Sequence, residues 1–122
     1  MADTYKNAGL DLTTTDPTTI YTVPTANPGT LPPIFPTTGV INSIIVCNDS
    51  GSTTLYTLEW TDNSASATYK ITNDKSINTN TADQVLSRPL VLEESDLIKI
   101  TANAANQIHI SVSVLEITKG AL

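Results

Sequence analysis

Apolar residues in this chain recur with a period of two, in short blocks, and nowhere form a convincing helical stripe. Residues 54–61 alternate cleanly. Tyr56, Leu58 and Trp60 fall on one side and Leu55, Thr57 and Glu59 on the other, which predicts a half-buried strand. After the turn Asp62-Asn63-Ser64, residues 67–71 alternate again, so the two segments predict a hairpin. Residues 39–48 are apolar on both faces, with Ile44 and Val46 opposed to Ile45 and Cys47. That predicts a central strand, with Cys47 as a small buried hydrophobe.

Further strands are predicted at 20–23 and at 97–102, the latter with Ile98 and Ile100 inward. Val85-Leu86 and Leu90-Val91-Leu92 flank Arg88-Pro89, which predicts an edge strand or a break between two strands. In the last block, 107–118, Ile108, Ile110, Val112 and Val114 share a face. Leu115 and Ile117 are then apolar and Glu116 is not, so a β-bulge or an exit from the sheet is expected there.

The connecting segments are polar. Asn48 to Ser52, Glu93 to Asp96 and Asn103 to Asn106 read as turns. Residues 73–83 read as a loop. Residues 1–18, with the run Thr13-Thr14-Thr15, read as an extended N-terminal arm. Residues 24–38 hold five of the seven prolines and predict a stiff, irregular loop. The loop also carries Leu31, Ile34 and Phe35, which either fold back or meet a partner. The expected architecture is all-β: one antiparallel β-sandwich over 19–122, jelly-roll or Ig-like, with about seven or eight short strands.

Composition narrows the function. With 122 residues, the chain suits one domain. Aromatics make up only 5%, so Val, Ile and Leu must supply most of the core. The net charge of −6 argues against a nucleic-acid partner and against an anionic membrane surface. A single cysteine excludes an internal disulfide. No apolar stretch approaches the length of a membrane-spanning helix. The start, Met1-Ala2-Asp3-Thr4, lacks the basic and apolar regions of a signal peptide, so folding in a cytoplasm is expected.

Candidate chemistry is sparse. The one histidine, His109, should point outward beside Ser111, and no Gly-x-Ser-x-Gly elbow occurs. One His and one Cys are too few for a zinc site within the chain. Asp49, Asp62, Asp74 and Asp96 sit in turns where oxygen ligands for calcium could converge, but without EF-hand spacing. Aspartate in turns is ordinarily there to mimic a backbone turn. The pairs Glu93-Glu94 and Glu59 with Glu116 form no recognisable catalytic motif. The sequence therefore predicts no enzyme, no metal and no cofactor.

The order of segments resembles a family of small β-sandwich bacteriophage virion proteins. The residues that carry the resemblance are Tyr21-Thr22-Val23-Pro24, the run from Ile41 to Ser50, Leu58-Glu59-Trp60, the run from Pro89 to Asp96, and Thr101 to Asn106. It spans roughly 20–118. The loop at 24–38 departs from the short turn usual in that family after the first proline.

The resemblance implies a cement or decoration protein that sits on the capsid surface, is made in the host cytoplasm, and bridges major capsid protein subunits as a homo-oligomer, with a trimer favoured. On that reading the partner-binding residues are Leu31, Pro32, Pro33, Ile34 and Phe35 in the loop, and Thr13, Thr14 and Thr15 in the arm. The alternatives are a phage tail, neck or fibre module, or a carbohydrate-binding β-sandwich using Trp60, Tyr56 or Tyr69 as a platform.

Overall fold

A computed structural model describes residues 2–119. Ten strands run in chain order as β1 (Ala2–Leu12), β2 (Thr18–Thr22), β3 (Thr37–Asn48), β4 (Thr54–Asp62), β5 (Ala67–Lys70), β6 (Lys75–Ile77), β7 (Thr81–Gln84), β8 (Leu90–Leu92), β9 (Leu97–Ala102) and β10 (Ile108–Thr118). There is no helix among the described residues. The strands form two five-stranded antiparallel sheets packed face to face. Sheet A runs β1-β10-β3, with β7 and β8 sharing the next place beside β3. Sheet B runs β2-β9-β4, with β5 and β6 sharing the next place beside β4.

The pairing is nested. β1 pairs with β10, β2 with β9, β3 with β7 and β8, and β4 with β5 and β6. A nested ladder is one long hairpin rolled into two sheets, which is the jelly roll. The immunoglobulin alternative places the first strand beside the second, and here those strands lie in different sheets.

The predicted strands appear where the period-two pattern puts them. The segments read as unstructured need correction. Residues 2–12 are not a free arm: they form an edge strand hydrogen-bonded to β10 from Ala2↔Thr118 to Leu12↔Ile108. The strand is polar because its outer face meets water and its inner face is apolar only toward one end, at Leu10 and Leu12. The loop expected at 73–83 contains β6 and β7. Both are short edge pieces with few apolar residues, so they carry no periodic signal.

The bulge expected near Leu115 is present in the β10–β3 ladder, but its extra residue is on β3 and not on β10. β10 keeps its phase to the end, and Glu116 faces inward at 5% exposure. The register shift falls between Ser43↔Ser113 and Ile41↔Val114, leaving Asn42 as the extra residue on β3. This bulge lets Ile41, Ile44 and Val46 all face the core although their spacing breaks strict alternation. Cys47 lies on the outward side of β3 and is partly exposed, contrary to the buried position expected for it.

The core between the sheets is aliphatic. Ile41, Ile44 and Val46 of β3 and Ile108, Ile110, Val112 and Val114 of β10 meet Leu58, Ile98 and Ile100 of the other sheet. Each such side chain contributes on the order of 1.5–3 kcal/mol as it leaves water. Tyr56 is the one large aromatic fully inside, and its hydroxyl donates to Asp83 at 3.0 Å.

Candidate partner-binding surface

One end of the sandwich is open, and the proline-rich loop forms its wall. The loop closes on itself through paired backbone bonds, Asn27 N–H to Ile34 O at 2.8 Å and Ile34 N–H to Asn27 O at 2.9 Å. Inside it, the Asn27 side chain accepts from Gly29 N–H, and the Thr30 hydroxyl donates to Asn27 O and Pro32 O. Its base is pinned to the 93–96 turn: Ala26 N–H donates to the Glu94 carboxylate at 3.0 Å, and the Thr25 and Ser95 hydroxyls bond to each other.

Thus pinned, the loop offers apolar surface to water. Leu31 stands at the tip with 97% of its surface exposed, and Ile34 has 40%. Pro32, Pro33, Ile34 and Phe35 form one side of a groove of about 570 Å³. The opposite side is made by the strand ends of sheet A, notably Thr4, Lys6, Glu116 and Thr118.

The groove has a built polar floor. Glu116 accepts a hydrogen bond from the Tyr21 hydroxyl at 2.5 Å and an ion pair from Lys6 Nζ at 2.9 Å. Burial, then the hydrogen bond to Glu116 and its charge, push the Tyr21 phenol well above its ordinary pKa. Gly39 is the register partner of Glu116. A Cβ there would meet Val23 Cγ2 at 3.0 Å and the Tyr21 hydroxyl at 3.4 Å. The tight contact is with Val23, while Tyr21 passes over the glycine at ordinary van der Waals distance on its way from sheet B to the carboxylate. Sequence reasoning did not single out this cluster. Its signal was there in the spacing, since Glu116 continues the inward series from Ile108 to Val114.

The proposed partner-binding residues do not form one site. Pro32, Pro33, Ile34 and Phe35 line the groove, and Leu31 projects beside it. Thr13, Thr14 and Thr15 follow Leu12 at the opposite end of the sandwich, where Leu12 pairs with Ile108. There the Thr14 hydroxyl accepts from Asp16 N–H at 3.1 Å, in a local turn.

The other candidates resolve as follows. His109 faces outward, with Nε2 at 3.4 Å from Asp11 Oδ1 and 3.6 Å from Asp49 Oδ2. Gly9 and Ile45 lie opposite the neighbouring Ser111. Asp62, Glu93 and Asp96 bring carboxylate oxygens within 4.8 Å of one another. Asp96, however, is 2% exposed, and its two oxygens accept Asn63 N–H at 2.9 Å and Glu93 N–H at 2.8 Å, so it ties turns together. Asp74 accepts from Thr57 at a strand end, well away in sequence from that group. Glu59 and Glu116 are not a pair: Glu59 lies on sheet B between Lys99 and Lys70, and Glu116 faces the interior of sheet A. Trp60 is partly buried against the core and packs on Tyr69, with ring centroids 5.1 Å apart and Tyr69 about half exposed, while Tyr56 is fully inside.

No protein-family model matches the chain, and no curated protein matches it. Among solved structures it is similar to a chain in the structure of infectious bursal disease virus, Gt strain, at 12% identity and a TM-score of 0.43, covering 100% of this chain and 32% of that one. The Gx strain of the same virus gives 10% identity and a TM-score of 0.43, covering 97% and 30%. The structure of Eiger TNF from S. frugiperda gives 10% identity and a TM-score of 0.38, covering 97% and 94%. This chain therefore spans about a third of the viral chains it matches. No functional weight rests on these likenesses.

Proposed function

We propose that this chain is a non-enzymatic structural protein of a bacteriophage particle, which decorates the capsid as a homo-oligomer and bridges major capsid protein subunits. The observation that carries the reading is the loop at 24–38. It is internally hydrogen-bonded, stiffened by proline, pinned at its base, and holds Leu31 fully in water. A large apolar side chain on a preorganised loop contributes little to the fold. It is the kind of anchor that carries interface energy, because little conformational freedom is lost on docking. On a capsid, many copies each making a modest contact would act together through multivalency. The order of strand motifs from Tyr21 to Asn106 supports the same reading.

Residues 2–12 are paired with β10 along one side and are not a free arm, so in this scheme the arm's contacts fall to Thr13, Thr14 and Thr15, which follow that strand. The loop and groove are the main contact element.

The test is co-sedimentation of the full chain with undecorated phage capsids, with copies per particle counted at saturation. Saturation at a fixed stoichiometry with the shell subunits, lost in Leu31→Asp, is the expected outcome. A handful of copies per particle would transfer the chain to a tail, neck or fibre. An unaffected Leu31→Asp variant would remove the loop as the anchor.

A further inference from the structure

The two outer faces of the sandwich are built differently. On sheet B, a cross-strand row runs Lys99-Glu59-Lys70, with charges alternating across three strands. That is a face finished for water. On sheet A, the register sets Tyr5 beside Leu115, Leu115 beside Val40, and Val40 beside Val91. This apolar row crosses the whole sheet on its outward side, with Tyr5 79% exposed and Val91 58% exposed. Ile45, 41% exposed, faces the same way farther along β3, beyond the polar Asn42 and Ser43.

We propose that the outer face of sheet A is the surface through which copies of this chain associate. Three observations fix the occupant as another copy. First, charge is nearly absent. Among the described residues, no Lys or Arg faces outward on these five strands, and the outward carboxylates Asp3 and Asp11 both lie on the edge strand. Copies that each carry −6 repel one another, and that repulsion is least where the facing surfaces hold few carboxylates. The same face can therefore meet itself with Asp3 and Asp11 as its outward carboxylates, both at the β1 rim, and depletion of charge around aromatic and aliphatic residues is the composition of an interface core.

Second, the size fits. Three strands of about eleven residues and a fourth place filled by the shorter β7 and β8, at about 4.8 Å between strands and roughly 3.4 Å per residue, give a face of about 650 Å², approaching the ~800 Å² per partner of a stable interface. Third, the face is held by the long ladders of β1, β10 and β3, so little order is lost when it is covered. This surface is separate from the loop and groove. It rests on the decoration reading only for the expectation of an oligomer.

The experiment is sedimentation velocity and light scattering on the full chain over a wide concentration range, with Tyr5→Glu, Val91→Glu and, as a control on the outer face of sheet B, Leu55→Glu. Tyr5 and Val91 are exposed, so the variants keep the fold; matching circular dichroism and thermal unfolding check this. The expected result is an oligomer for the natural chain and for Leu55→Glu, with association at least about tenfold weaker in Tyr5→Glu and in Val91→Glu, because like charges meet across the interface. A chain that stays monomeric at all concentrations overturns the proposal, as does an oligomer that Tyr5→Glu and Val91→Glu leave intact. Monomers whose Tyr5→Glu and Val91→Glu forms lose capsid binding would also overturn it and assign the face to the shell. An oligomer that dissociates as expected but never binds capsids would leave the interface standing and remove the decoration reading.

Discussion

Glu116 and Tyr21 lie 95 positions apart in the chain, on different sheets, and are joined by a 2.5 Å hydrogen bond at the floor of the groove. The bond, with Lys6 on the second carboxylate oxygen, explains how a glutamate is tolerated at the inward end of an otherwise aliphatic strand face. Removing Glu116 leaves the part-buried Tyr21 hydroxyl without its partner, although half-exposed Lys6 can turn to water, and an unsatisfied buried group costs more than the bond contributes when made. Glu116→Ala should therefore destabilise the fold by about 1–3 kcal/mol, read as a lower midpoint in urea unfolding. Tyr21→Phe should cost less, and a double-mutant cycle between the two should show positive coupling.

The raised phenols of Tyr21 and Tyr56 make stability fall at alkaline pH. Burial raises both, reinforced by Glu116 and Asp83 respectively. Unfolded tyrosine loses its proton near pH 10, whereas the folded phenols hold theirs to higher pH. Above that pH the folded state binds more protons than the unfolded state, so stability is full below pH 10 and falls as pH rises beyond it. Denaturant midpoints measured upward from pH 9 should show the fall, and the Tyr21→Phe, Tyr56→Phe double variant should show less of it. Parallel profiles for the two proteins would contradict this account.

Gly39 is a packing requirement. Its φ is not in the left-handed region, so backbone strain is not the issue. The added methyl of Gly39→Ala would press on Val23, which is fully buried and cannot yield. Overpacking of this kind costs roughly 1–3 kcal/mol. Calorimetry should show a lower Tm for Gly39→Ala with the transition still cooperative.

Asn42 is the extra residue that keeps Ile41 and Ile44 on the same side of β3. Deleting it would force strict alternation and turn either Ile41 or the Ile44-Val46 pair out of the core. The deletion should abolish soluble expression or lower the Tm far more than Asn42→Ala, which keeps the residue count.

Asp96 should behave as a structural carboxylate. Its oxygens are already occupied by two backbone amides, so millimolar calcium should leave the Tm unchanged, while Asp96→Ala should cost about 1–3 kcal/mol through the two unsatisfied amides. A calcium-dependent rise in Tm would instead make the Asp62, Glu93 and Asp96 group a metal site.

The period-two pattern alone was enough to determine an all-β sandwich, the inward faces of β4, β9 and most of β10, and the irregular loop that walls the groove, because apolar alternation is a local consequence of the pleat. It could not show β1, β6 or β7, whose residues are mostly polar and which are strands because a neighbouring ladder offers them hydrogen bonds. Nor could it place the bulge, since the sequence shows only that two strand phases disagree, and the cross-strand register decides which strand absorbs the extra residue. The same holds for the site. Leu31 and its prolines announce themselves as exposed apolar loop, whereas Glu116, Tyr21 and Lys6 come from three distant segments. The row from Tyr5 to Val91 likewise exists only because nested pairing brings the first strand of the chain beside the last. Local alternation is written in neighbouring residues, while long-range pairing is settled by which of many possible ladders buries the most apolar surface at once.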